Sequence, residues 1–139
     1  MPLKINPRIL TRKDIWREAE ALRDSFPRSC GDLPVDVLAL AEFDLKLEIR
    51  VAPLRELEQE ALLFSDLSTI VLDHDAFMSP RQNRLRFSVA HEVGHLRLHA
   101  KIFQRLAFDS VDDWIRKVQA IPLVDYQRIE WQAYEFAGR

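Results

Sequence analysis

His91-Glu92-Val93-Gly94-His95 is the stretch of this chain that decides its fold. On an α-helix, residues four positions apart lie on one face, separated by one turn of about 5.4 Å along the axis. That separation lets two imidazoles bind one tetrahedral zinc ion, with the glutamate beside them placed to act on a water molecule. The spacing therefore predicts a helical Zn2+ site in which His91 and His95 are ligands and Glu92 is the catalytic base.

The helix that carries this motif is predicted to be buried, because apolar residues surround it on almost every side. They are Phe87, Val89, Ala90, Val93, Gly94, Leu96 and Leu98. A helix that is apolar nearly all round belongs to a protein core, and charged groups in a core need partners, which a metal ion supplies. Ser79 followed by Pro80 is a helix-start signal, so we expect the helix over residues 80–100.

Composition is that of an ordinary soluble domain. The chain has 139 residues, 47% of them hydrophobic and 30% charged, with a net charge of −2. This charge favours neither direct nucleic-acid binding nor attraction to a membrane surface, and no apolar stretch approaches the ~20 residues that span a bilayer. Cys30 is the only cysteine, which excludes an internal disulfide and a thiolate zinc cluster. Without a signal-peptide pattern, we expect a cytoplasmic protein.

The rest of the chain predicts an α+β fold. Thr11 and Asp14 resemble a capping box at the start of a helix whose apolar stripe includes Ile15, Ala19 and Leu22. A second helix is expected over residues 35–43. Residues 47–51 alternate as a strand, and residues 61–64 and 69–72 form a hairpin. We therefore expect a small three-stranded sheet packed against the central helix and flanking helices.

Two further helices are predicted after the motif. Ser110 is expected to cap a helix over residues 111–119, and Asp125 one from residue 126 to the end. Between the motif and Ser110, residues 102–108 form a short apolar segment.

A catalytic zinc usually has three protein ligands and one open position. His99 lies two turns beyond His91 on a helix predicted to be unbroken, which is too far along the axis to share the ion. The last helix offers Glu130 and Glu135. Glu130 borders the apolar stripe of that helix, whereas Glu135 is expected to point to solvent. This geometry favours Glu130, although Asp125 also borders the stripe.

Residues 86–99 resemble the core motif of the ImmA/IrrE family of metallo-endopeptidases. In that family, a later Glu-x-x-Ala-x-x-Phe-Ala motif carries the third zinc ligand, and residues 130–137 match it. The resemblance therefore implies a zincin-like, gluzincin-type fold with His91, His95 and Glu130 as the zinc ligands.

The chain departs from the family pattern in two places. It has Tyr134 where members usually have asparagine, and it stops at Arg139 where they continue with Leu-Leu and a proline. We therefore expect residues 1–139 to be a single zincin-like domain, truncated at its C-terminus.

The resemblance implies an intracellular regulatory endopeptidase whose substrate is a helix-turn-helix repressor. The alternative is a zinc-stabilised binding module that controls a transcription factor by contact, but a structural metal has no use for a base at Glu92. Tyr134 is a candidate second electrophile, although an ordinary half-buried aromatic explains it more simply. Residues 69–72 are expected to be an outer strand that pairs with an extended substrate.

Overall fold

Seven helices and one three-stranded sheet make up the part of the chain that the computed structural model describes, residues 4–27, 35–54 and 60–138. In chain order the elements are α1 (Arg12–Ser25), α2 (Val37–Ala39, continuing as a π-helical turn over Leu40–Asp44), β1 (Glu48–Ala52), β2 (Ala61–Leu63), β3 (Thr69–Asp73), α3 (His74–Met78), α4 (Asn83–Leu98), α5 (Ala100–Leu106), α6 (Val111–Gln119) and α7 (Leu123–Ala137). The predicted α+β class is confirmed. Cys30 lies outside the described residues, and the second helix, predicted over residues 35–43, begins at Val37.

No helix in the described ranges has both the length and the apolar character needed to cross a bilayer.

The capping box of α1 is present as predicted. Thr11 Oγ1 accepts a hydrogen bond from the Asp14 amide, and the Asp14 carboxylate accepts one from the Thr11 amide, at 3.2 and 3.0 Å. The stripe of Ile15, Ala19 and Leu22 is buried, so α1 presents its apolar face to the core.

The strand order of the sheet is β1-β3-β2. β3 runs antiparallel to β2, with Ala61 opposite Leu72, which confirms the hairpin, and it runs parallel to β1. The expectation that residues 69–72 form an outer strand is wrong, because β3 is paired on both sides. Its continuous apolar run is typical of a central strand, and the free edges of the sheet belong to β1 and β2.

The start of α4 differs from the prediction. Ser79 does not cap the helix; its hydroxyl accepts a hydrogen bond from the Arg81 amide at 3.1 Å. The Gln82 side chain folds back onto the carbonyls of Ser79 and Ala76, and α4 begins only at Asn83. Ser79 and Pro80 therefore form a turn before the helix, because these side chains satisfy local backbone groups instead of the helix end.

The end of α4 also differs. The helix stops at Leu98, and His99 has a non-helical backbone (φ −127°, ψ 23°) before α5 begins at Ala100. The predicted unbroken helix through His99 is therefore wrong.

The remaining helices are close to the predicted ones. Residues 102–108, predicted only as an apolar segment, lie mostly in α5, which is followed by Ala107 with a left-handed backbone (φ 51°). Ser110 caps α6 by accepting a hydrogen bond from the Asp113 amide, as predicted. α7 begins at Leu123, so Asp125 lies in its first turn and does not cap it.

Helices α4 and α7 pack closely at Gly94. A Cβ atom at this position would lie 3.2 Å from the carbonyl oxygen of Ala133 and 3.2 Å from Phe136 Cβ. Only a glycine lets the two helices approach this closely without displacing a neighbour. The contact brings Glu130, one turn before Tyr134 on α7, alongside the histidine face of α4.

Candidate metal centre

The two histidines of the motif are buried on α4, with relative exposures of 6% for His91 and 2% for His95. Their rings are nearly perpendicular, with centroids 4.7 Å apart. One ligand atom from each of His91, Glu92 and His95 lies within 4.8 Å of the others. This buried group of three residues can hold a metal ion.

Glu130 reaches the same place from α7. Its Oε2 lies 3.0 Å from His91 Nε2, and its Oε1 lies 3.0 Å from His95 Nε2. Zinc bonds of 2.0–2.2 Å in a tetrahedral arrangement would set neighbouring ligand atoms about 3.3 Å apart. Each imidazole nitrogen is thus within a few tenths of an ångström of the separation that it would have from a carboxylate oxygen bound to the same zinc ion. The structure brings together all three residues predicted as ligands.

Glu92 is held from the other side, by β2. The Leu63 amide donates a hydrogen bond of 2.9 Å to Glu92 Oε2. The side chain is fully buried, and burial raises its pKa well above the usual range; the charge of Glu130 adds to this, while the hydrogen bond from Leu63 opposes it. Glu92 is thereby a carboxylate that readily takes up a proton.

The raised pKa of Glu92 predicts how the stability of the metal-free protein depends on pH. Glu92→Gln is expected to increase its free energy of unfolding at pH 8 by about 1 kcal/mol or more, because glutamine removes a buried charge and its oxygen can still accept from Leu63. At acid pH the wild-type carboxyl is neutral in both states, so the two proteins should be equally stable. As the pH rises, the unfolded chain releases the proton first, and the wild type loses stability relative to the variant until the pH passes the folded pKa.

Urea unfolding at pH 4, below the usual glutamate pKa of 4.5, and at pH 8, in the presence of a chelator, measures this difference. A wild type that is more stable than Glu92→Gln at pH 8 would contradict the prediction.

The surroundings of Glu130 and His95 stabilise the protonation states in which these side chains bind a metal. Burial by itself would raise the pKa of Glu130, but its hydrogen bonds with His91 and His95, and their charge, hold it well below the usual range. Burial lowers the pKa of His95. An ionised carboxylate and a neutral imidazole are the states in which these groups act as ligands.

A chain of polar side chains behind His95 was missed by the sequence reasoning. His95 Nδ1 lies 2.9 Å from His99 Nδ1, and His99 Nε2 lies 2.7 Å from Gln132 Oε1. The amide nitrogen of Gln132 donates to the Arg8 carbonyl at 2.8 Å. Burial, and then the charge of His95, lower the pKa of His99 to about 3. Gln132 has a sequence signal, since it is a polar residue next to Ala133 on the buried stripe of α7.

An open cleft of about 390 Å³ leads to these candidate metal ligands. The residues that line it are Glu60, Ala61, Asn83, Arg84, Phe87, Ser88, His91, Glu92, Glu130 and Tyr134. Tyr134 is 54% exposed, and its ring centroid lies 4.2 Å from that of His91 and 6.0 Å from that of Phe87. Tyr134 is therefore a wall of the cleft, but its role as an electrophile stays a prediction.

The free edge of β2 forms the opposite lip of this cleft. Glu60 and Phe64 pair with β3: the Glu60 carbonyl accepts a hydrogen bond from the Asp73 amide, and the Phe64 amide donates one to the Thr69 carbonyl. Since alternate residues of an antiparallel strand face opposite edges, Ala61 faces away from β3. Its amide and carbonyl lie at the free edge beside the cleft.

Glu135 does not point to solvent as predicted. It accepts a hydrogen bond from Trp16 Nε1 at 3.4 Å and forms an ion pair with Arg12 at 3.5 Å. The Glu135 side chain joins α7 to α1, and these contacts are with Trp16 and Arg12, not with the histidines. This agrees with the choice of Glu130 over Glu135 as the candidate ligand.

Comparison with known proteins finds no matching family model, curated protein or solved structure.

Proposed function

We propose that this protein is a zinc-dependent endopeptidase with a zincin-like, gluzincin-type site similar to that of the ImmA/IrrE family. His91, His95 and Glu130 would hold the zinc ion, and Glu92 would be the general base. The observation that carries this proposal is the position of Glu130, whose two oxygens lie 3.0 Å from the Nε2 atoms of both histidines at the floor of an open cleft.

The donor set and the open cleft favour a catalytic site. Three N and O ligands with access from one side are typical of catalytic zinc, whereas structural zinc is usually enclosed by four ligands, often with cysteine among them. Bound there, zinc would supply a Lewis acid that polarises a peptide carbonyl and makes water more acidic.

Glu92 would carry the proton of the reaction. Its Oε2 is fixed by the Leu63 amide, and the side chain also lines the cleft. From this position the carboxylate would take a proton from the attacking water and pass it to the amine that leaves when the peptide bond breaks. A raised pKa suits this task, because the group must accept and then release a proton near neutral pH.

The substrate would be an extended protein segment lying along β2. Because β3 is the central strand, the substrate would pair with Ala61 instead, which faces the cleft and whose amide and carbonyl no described residue pairs with. Tyr134 on the opposite wall offers a phenol that could donate to the carbonyl oxygen. In keeping with the family resemblance, we propose a helix-turn-helix repressor in the cytoplasm as the substrate, with no direct contact between this protein and DNA.

A comparison of the wild type with Glu92→Gln distinguishes proteolysis of the repressor from control by binding alone. The zinc-loaded proteins are each expressed with candidate helix-turn-helix repressors, and repressor cleavage and zinc content are measured. Loss of the base is expected to slow cleavage by about 10²–10⁴-fold, with zinc retained. Glu42→Gln, the same change at an exposed glutamate of α2, is the matched control and should cleave like the wild type.

If Glu92→Gln and the wild type relieve repression equally without cutting the repressor, the endopeptidase proposal fails. The protein would then be a binding module that acts by contact.

A further inference from the structure

We propose that Gln132 and His99 are positioning residues that hold His95 in its Nδ1–H tautomer, so that its Nε2 presents a lone pair to the metal ion. This inference rests on the proposed metal site. It follows from the hydrogen-bond partners behind His95, which run from the N-terminal segment through α7 to α4.

The direction of this chain is set at its far end by the Arg8 carbonyl. A carbonyl oxygen only accepts, so the Gln132 amide nitrogen must be the atom that faces it at 2.8 Å. The Gln132 oxygen then faces His99 Nε2 at 2.7 Å, which requires a proton on that nitrogen. Each donor thus determines the next acceptor.

The same reasoning carries through the two rings. A neutral imidazole with its proton on Nε2 has a bare Nδ1, so His99 Nδ1 accepts from His95 Nδ1–H at 2.9 Å. Neutral His95 then has a bare Nε2, which lies 3.0 Å from Glu130 Oε1. In the metal-free protein a proton between these two atoms makes the hydrogen bond described above, and a bound metal ion would take the place of that proton.

The N-terminal anchor is itself held in place. Arg105 Nη2 on α5 donates to the Ile5 carbonyl at 3.0 Å, and the Ile5 side chain is buried in the core. This fixes the segment that carries the Arg8 carbonyl.

His91 has no comparable support. Its Nδ1 is buried and has no hydrogen-bond partner among the described residues. The two ligand histidines are therefore unequal: the protein sets the tautomer of His95 in advance, and the tautomer of His91 is left to the metal. Partners of this kind commonly raise the metal affinity of a site by about 10–100-fold.

Long-range ¹H–¹⁵N NMR of the zinc-loaded wild type tests the tautomers directly. We expect the proton of His95 on Nδ1 and that of His99 on Nε2. A proton on His99 Nδ1 would overturn the proposal, and this readout needs no variant.

Zinc affinity, measured by competition with a chromogenic chelator, tests the consequence. His99→Leu is expected to lose about 10–100-fold in affinity, and Gln132→Leu to lose less. His99→Asn should restore most of it, since its Oδ1 can replace Nδ1 as the acceptor for His95. His74→Leu, the same change at an exposed histidine, is the matched control and should bind like the wild type.

The outcomes separate this inference from the function on which it rests. If the wild type binds zinc and His99→Leu binds it equally tightly, the inference alone is overturned. The same holds if His99→Asn binds zinc no more tightly than His99→Leu. A wild type that binds no zinc overturns the proposed function and the inference with it. Should His99→Leu fail to fold, the wild-type tautomers and the Asn variant decide.

Discussion

Glu130→Gln is expected to lower the zinc affinity of this protein by about 10²-fold or more. Structural zinc sites with four ligands bind with about 10–16 kcal/mol, or roughly 3 kcal/mol for each ligand, and 3 kcal/mol corresponds to a little over 10²-fold. Glutamine keeps the size of the side chain but removes the charge that lies 3.0 Å from both imidazoles. Chelator competition on the wild type and the variant measures the difference.

Glu135→Gln is the matched control, because it makes the same change on the same helix. Glu135 contacts Arg12 and Trp16, so its variant should bind zinc like the wild type. Unchanged affinity in Glu130→Gln, together with a loss in Glu92→Gln, would show that the ion is held by His91, Glu92 and His95 instead, and that Glu92 is not free to act as a base.

Gly94→Leu is expected to destabilise the metal-free protein by about 3 kcal/mol, the upper end of the usual cost of overpacking a core. The Ala133 carbonyl and the Phe136 side chain lie within 3.2 Å of the place where a Cβ would be, so a branched side chain must separate α4 from α7. For a domain of this size the melting temperature should fall by about 10 °C. The change also moves Glu130 away from the histidines, so zinc affinity should fall as well.

Gly94→Ala provides the graded control. It adds tight contacts with the Ala133 carbonyl and the Phe136 side chain. Alanine in a helix is more favourable than glycine by about 1 kcal/mol, so the stability of this variant should stay close to that of the wild type. Circular dichroism melts of the three proteins measure the series. If Gly94→Leu melts like the wild type, the close packing of α4 on α7 described above is wrong.

Features that depend on neighbouring residues were predictable from the sequence. The capping box of Thr11 and Asp14 and the start of α6 at Ser110 are present because the hydrogen bonds that define them join residues three apart. The hairpin of β2 and β3 has a short turn, in which the Asp66 carboxylate accepts from the amides of Ser68 and Thr69. In these places no interaction with a distant residue changed the structure that the local sequence predicts.

Predictions failed where a second partner competed for the same group. Ser79 has the form of a helix cap, but the Gln82 side chain occupies the carbonyls before the helix and α4 starts later. Residues 69–72 looked like an outer strand, yet β1 pairs with β3 in parallel and makes it central. The pairing of β1 with β3 joins distant segments, and neither segment shows by itself which strand lies beside it.

The sequence by itself determined the α+β class and the metal-compatible group on α4, because the spacing of His91, Glu92 and His95 places them together on any helix. It also pointed to Glu130 as a third ligand. The residues that surround this group could not be read from the sequence, because folding brings them there. The Leu63 amide, which donates to Glu92, is 29 positions away in the sequence, and the Arg8 carbonyl, which accepts from Gln132, is 124 positions away. Backbone groups are the same in every residue, so their roles arise only when the chain folds.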